Sequence, residues 1–134
     1  MKVFAATLLV LLTTPAAQAK CANDLYRFTG VVTATDATPI SDALVAVAWN
    51  DTVQGTTLER TAHTDSAGRY SIEVPFYPWK GGSRGADTCN AKLTEVAVLV
   101  AASGYVEQET EQPVKGLQTT ANYSLKRTAG VGLR

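Results

Sequence analysis

Along much of this chain, apolar residues recur at every second position rather than every third or fourth, and that period decides what it can become. Tyr26, Phe28, Val32 and Ala34 alternate with more polar neighbours, and Val45, Val47 and Trp49 share one face. Tyr70, Ile72, Val74 and Phe76 point one way while Arg69, Ser71 and Glu73 point the other. A side-chain period of two belongs to a pleated strand with one face buried, and no stretch long enough for a helix keeps a 3.6-residue repeat. Thr57 to Thr64 is polar enough for an edge strand. Glu95 to Ala102, EVAVLVAA, is apolar at both parities and reads as a central strand covered on both faces. Glu107, Glu109 and Glu111 line one face of a second edge strand, where a row of like charge discourages pairing with another chain. Tyr123 and Leu125 mark the last strand. Seven short strands separated by turn signals predict an all-β, two-sheet sandwich in a single domain.

The first 19 residues stand apart from this pattern. Lys2, an apolar run from Val3 to Leu12 and the small-residue ending Ala17-Gln18-Ala19 predict a signal peptide over 1–19, its apolar run too short to span a bilayer. Export to a periplasm or the cell exterior follows, with a sandwich over 20–127, a flexible tail over 128–134 and no integral membrane segment after cleavage. A domain of this length buries roughly 65% of its unfolded surface, enough for one core. Of the 12 basic residues only Lys2 leaves with the signal, so the remainder is nearly balanced against 12 acidic ones. That balance excludes the bulk basic field expected of a nucleic-acid or anionic-membrane binder.

Cys21 and Cys89 are the two cysteines, and in an oxidising compartment their default reading is a disulfide tying the N-terminus to the late loop. The rival reading, a metal pair or a reactive thiol, has one histidine and no C-x-x-C spacing to support it. No metal and no cofactor are expected, since Asp36, Asp42 and Asp51 sit on separate turns without calcium-loop spacing.

Residues 63–70, HTDSAGRY, place a histidine, an aspartate and a serine within four positions. His63 and Asp65, two apart on a strand, leave the same face about 7 Å from each other, which is too far for a hydrogen bond. A tight turn explains more of the residues: Asp65 accepts from the backbone two residues on, Gly68 supplies a left-handed conformation, and Tyr70 restarts the alternation. His63 then reads as a surface strand residue.

Gly30-Val31-Val32, Pro39-Ile40 with Ala43 to Val47, Thr64-Asp65-Ser66-Ala67-Gly68-Arg69-Tyr70-Ser71-Ile72, and Ala102-Ser103-Gly104-Tyr105 together resemble the carboxypeptidase regulatory-like domain family. The resemblance runs from about Tyr26 to Lys126. It implies a seven-stranded, transthyretin-like sandwich without catalytic residues, in which Asp65, Gly68 and Gly104 are structural turn positions. Two departures stand out: Thr38 occupies a place where the family carries a turn glycine, and the loop from Pro78 to Asn90 replaces a short connection. Enzymatic relatives of the same architecture make further demands. Hydroxyisourate hydrolases need two histidines and a C-terminal Tyr-Arg-Gly-Ser, and intradiol dioxygenases hold iron with two tyrosines and two histidines, whereas His63 is the single histidine of this chain.

The expectation from sequence is therefore a non-enzymatic accessory module that binds or stabilises an envelope or extracellular protein in trans. An alternative is a carbohydrate- or small-ligand-binding domain that uses Tyr77, Trp79, Lys80 and Arg84, two aromatic side chains and two cations on a glycine-rich loop. Trp79 has a second reading as a cap folded onto one end of the sandwich.

Overall fold

The computed structural model describes residues 21–81 and 88–129. The expected signal peptide, residues 1–19, lies outside the described residues, as do Arg84 and residues 130–134 of the expected tail. Eight strands follow in chain order among the described residues: β1 (Asp24–Ala34), β2 (Leu44–Asn50), β3 (Thr57–His63), β4 (Arg69–Phe76), β5 (Glu95–Ala101), β6 (Gln108–Pro113), β7 (Gln118–Thr120) and β8 (Tyr123–Leu125). One sheet runs β4-β1-β7 with β8 also on β1; the other runs β3-β2-β5-β6. The inward rows of both sheets meet in a single core, where Phe28, Val32, Val45, Val47, Val74, Val96, Val100 and Leu125 are fully buried. Each such side chain contributes about 1.5–3 kcal/mol on burial.

Where seven strands are expected there are eight, because the last one is broken. Both β7 and β8 pair in parallel with β1, but between them the chain steps away from the ladder at Ala121 and Asn122. The interruption is hydrogen-bonded: Val31 N donates to Asn122 Oδ1 at 2.9 Å, and Tyr70 Oη donates to the Ala121 carbonyl at 2.6 Å. Only glycine fits beneath this crossing, since a Cβ at Gly30 would overlap the Ala121 carbonyl.

The expectation that β5 is covered on both faces does not hold. Val96, Val98 and Val100 point into the core, whereas Ala97 is exposed and Leu99 and Ala101 are half-buried on the outward face. Small side chains there satisfied the sequence pattern without a second layer above them. Edge strands β3 and β6 flank the sheet on either side. At the end of that outward face, the hydrogen bond and then the charge of Glu111 raise the Glu95 carboxyl above its ordinary range.

The Cys21–Cys89 disulfide forms across 68 positions, with Cys21 buried. It ties the chain ahead of β1 to the segment ahead of β5. Chain-entropy reasoning gives a loop of this length about 4 kcal/mol at most. A Cys21→Ser/Cys89→Ser pair, or reduction of the wild type, is expected to lower stability by up to that amount in a denaturant titration.

The Gly30 crossing makes two more expectations. Gly30→Ala pushes the Ala121 carbonyl off Tyr70, and a loss of about 2–4 kcal/mol is expected by the same titration. Burial, and after it the charge of Tyr123, holds the Tyr70 phenol well above its ordinary value of 10.0; burial also raises Tyr123. An acid whose folded pKa is raised keeps its stabilising effect below the unfolded pKa and loses it as pH rises beyond. Alkaline unfolding is therefore expected to set in above pH 10.0, with tyrosinate absorbance and loss of near-ultraviolet dichroism rising together. A tyrosinate step that Tyr70→Phe removes but that comes before unfolding would contradict it.

Candidate functional site

The loop expected to bind a ligand does not bring its residues together. Tyr77 is half-buried and borders a small 210 Å³ depression with Trp49, Leu58 and Phe76. Trp79 and Lys80 border a different one, of 510 Å³, with Thr52 and Lys92. Trp79 is half-buried, its ring lies over Gly81, and its carbonyl accepts from Thr52 Oγ1 at 3.4 Å. Lys80 exchanges backbone hydrogen bonds with Thr88, just before the disulfide. Arg84 lies outside the described residues.

The HTDSAGRY stretch closes as a turn between β3 and β4. Asp65 Oδ1 accepts from Ala67 N and Arg69 N, both at 2.9 Å, and Gly68 takes a φ of 75°. A side chain at Gly68 would press on the Val32 carbonyl, a second reason for glycine there. Asp65 is thus spent on the backbone, and Ser66 lies exposed in the turn. Gly104, with φ 84°, turns the chain between β5 and β6, where its carbonyl accepts from Thr128.

His63 has a partner that its local sequence does not announce. Buried Thr64 donates its hydroxyl to the Ile40 carbonyl at 2.6 Å and accepts from Ala43 N at 2.8 Å, while Asp42 N donates to the Thr64 carbonyl at 3.0 Å. These bonds clamp the turn ahead of β2 against the end of β3, with Asp42 in a left-handed conformation of φ 59°. The clamp sets Asp42 Oδ1 3.3 Å from His63 Nδ1. With Nδ1 carrying its proton toward Asp42, the Nε2 lone pair is left as an acceptor. Both side chains face solvent, His63 at 61% and Asp42 at 88% exposure.

His63 of this pair, with Asp65, borders a groove of about 510 Å³ over the outward face of β4 and β1. Thr29, Ser71 and Thr120 give it hydroxyl groups, Arg69 a cation, and Tyr70 part of its wall. Arg69 makes no ion pair among the described residues. Tyr70 and Tyr123 stack obliquely, ring centres 6.3 Å apart, but both phenols are pushed up in pKa by burial, and Tyr70 already donates its hydroxyl to a carbonyl.

No family model and no curated protein sequence matches the chain. Solved structures do match its fold. The catechol 1,2-dioxygenase of Acinetobacter radioresistens superposes with a TM-score of 0.59 at 19% identity, covering 81% of this chain and 53% of that one. The 3-chlorocatechol 1,2-dioxygenase of Rhodococcus opacus 1CP gives 0.55 at 16% identity, over 81% of this chain and 62% of that one. The hydroxyquinol 1,2-dioxygenase of Pseudomonas putida DLL-E4 gives 0.55 at 14%, over 82% and 59%. This chain spans little more than half the length of these proteins. The likeness overturns the expectation of a non-enzymatic module, whether partner-binding or carbohydrate-binding, because the sandwich is one that enzymes share. It does not bring an iron shell with it. His63 is the single histidine, and no group of three or more His, Cys, Asp or Glu able to hold an ion occurs among the described residues. What the comparisons establish is a β-sandwich of the dioxygenase type.

Proposed function

We propose that this chain is a small acid–base catalyst on a dioxygenase-like sandwich, with His63 as proton acceptor, Asp42 as its orienting carboxylate, and a hydroxylated aromatic molecule as substrate. The observation that carries the reading is the 3.3 Å contact of Asp42 with His63, which lines the groove. The substrate class follows from the catechols and hydroxyquinol named for the structural neighbours, and from the groove's hydroxyl groups beside a cation.

Magnitudes limit what His63 does. Complete transfer of a phenolic proton to a model imidazole in water costs about 5 kcal/mol. His63 therefore acts as a general base within the transition state, and Arg69 offsets the developing phenolate charge. The reaction within reach is enol–keto tautomerisation of a polyhydroxylated ring. The hydroxyl proton passes to Nε2, the imidazolium, exchanging with solvent, returns one proton to a ring carbon and so regenerates neutral His63, and no electron is gained or lost.

Several features support the wider setting. The T-D-x-x-G-x-Y hairpin and the A-x-G-Y turn keep the carboxypeptidase regulatory-like family as the proposed lineage, and the disulfide supports a mature sandwich over 20–127 in a periplasm or outside the cell. Among the described residues no helix is long and apolar enough to cross a membrane.

Tautomerisation exchanges ring hydrogens with solvent, so the test is anaerobic deuterium exchange of hydroxyquinol followed by proton NMR. The protein is expected to accelerate exchange, His63→Ala to lose about 100-fold of that acceleration, and Asp42→Asn to lose about tenfold. An exchange rate equal with and without protein would sink the reading. Equal rates for wild type and His63→Ala would remove His63 from it.

A further inference from the structure

We infer that the outward face of the β3-β2-β5-β6 sheet is a docking surface for a cationic amphipathic helix. The register places Ala46 opposite Leu99 and Ala48 opposite Ala97, so four small or medium apolar side chains from β2 and β5 share one outward patch. The same rows end in Thr61 and Glu59 on β3, and in Glu109 and Glu111 on β6. The result is a shallow trough of about 350 Å³ with an apolar floor and a carboxylate rim on each side. Leu44 and Ala101, also opposite one another, prolong the floor toward His63.

Geometry selects the shape of the occupant. Four strands spaced about 4.8 Å apart put the two rims about 14 Å from each other, and an α-helix with its side chains is about 10–12 Å across. Alanines allow close approach of a helix to the sheet, the arrangement by which a sheet face is ordinarily covered. An added strand fits less well: it would pair at an edge, where Glu109 and Glu111 of β6 repel a like-charged backbone neighbour.

Charge selects its chemistry. Glu59, Glu109 and Glu111 line the trough, Glu95 and Lys92 line the adjoining depression that shares Ala48, Ala97 and Glu111 with it, and His63 lies on the same face of β3 as Glu59. A second copy of the chain would set these carboxylates against their own kind. A helix with a narrow Leu or Ala stripe flanked on both sides by Lys or Arg matches floor and rims together. Glu111, through its hydrogen bond first and its charge second, raises the Glu95 carboxyl, and a cation placed beside the pair would offset the charge part.

The test uses the folded protein and a Leu/Lys amphipathic peptide about 18 residues long, with two control peptides: one with glutamate at each lysine position, one scrambled to remove the stripe. Fluorescence anisotropy gives affinity, and amide shift changes in heteronuclear NMR give location. Saturable binding is expected for the first peptide alone, with shifts concentrated at Ala46, Ala48, Ala97 and Leu99. Glu59→Lys/Glu111→Lys, checked by circular dichroism, is expected to weaken it about tenfold, and raised salt to weaken the wild type likewise. Shifts centred elsewhere, or binding indifferent to salt and to the charge reversal, would overturn the inference. So would a dimer in sedimentation velocity that Ala97→Lys dissociates, since the occupant would then be a second copy.

Discussion

Everything in this sandwich hangs on β1, and β1 depends on a contact with no room in it. Gly30 lets the Ala121 carbonyl pass close enough for Tyr70 to hold it at 2.6 Å, and Asn122 takes the neighbouring Val31 amide. That crossing lets one long strand serve β4 on one side and two short parallel strands on the other. Parallel pairing at the end of the chain brings Tyr123 and Leu125 into the core between the sheets. A buried carbonyl without a donor costs about 1–3 kcal/mol, so Tyr70 is both a core side chain and the completion of a backbone ladder.

Strands and core were legible in the sequence because their signal is local: alternate residues of one strand share a face wherever the strand pairs. The same locality misled at β5. Alanine at positions 97 and 101 counts as apolar in a pattern, yet it hides so little surface that an uncovered face tolerates it. The split of the last strand was not legible either. Its cause is the fit of Gly30 against Ala121, 91 positions away, a contact that no period reveals. The proposed site divides the same way. Residues 63–70 announce a turn through Asp65 and Gly68, but the carboxylate that orients His63 is Asp42, brought in by the Thr64 clamp from 21 positions upstream in Ala43 and 24 in Ile40.

Function separates from fold at the level of donor atoms. The sandwich is shared with catechol dioxygenases at 19% identity or less across the structures compared, and at that distance a scaffold persists while side chains are exchanged. An iron centre of the intradiol kind requires two imidazoles and two ionisable phenols. This chain has one imidazole, and the Tyr70 hydroxyl is already engaged with the Ala121 carbonyl. The chemistry proposed above therefore rests on proton transfer and charge, with His63 and Arg69 lining the groove and Asp42 3.3 Å from His63.

The groove and the acidic trough share strand β3. It carries Glu59 at the trough and His63 at the groove, four residues and about 13 Å apart along one strand. It is also the least anchored element of its sheet, pairing with β2 alone, with only Ala62 even half-buried. A strand with so few buried contacts opens more readily than the core strands beside it. A helix seated against Glu59 would hold β3 in place and with it the position of His63 relative to Asp42. Linkage makes that effect reciprocal: a ligand that orders His63 in the groove favours the helix on the other face by the same free energy. If both proposals hold, the edge strand β3 is the element that links the two surfaces.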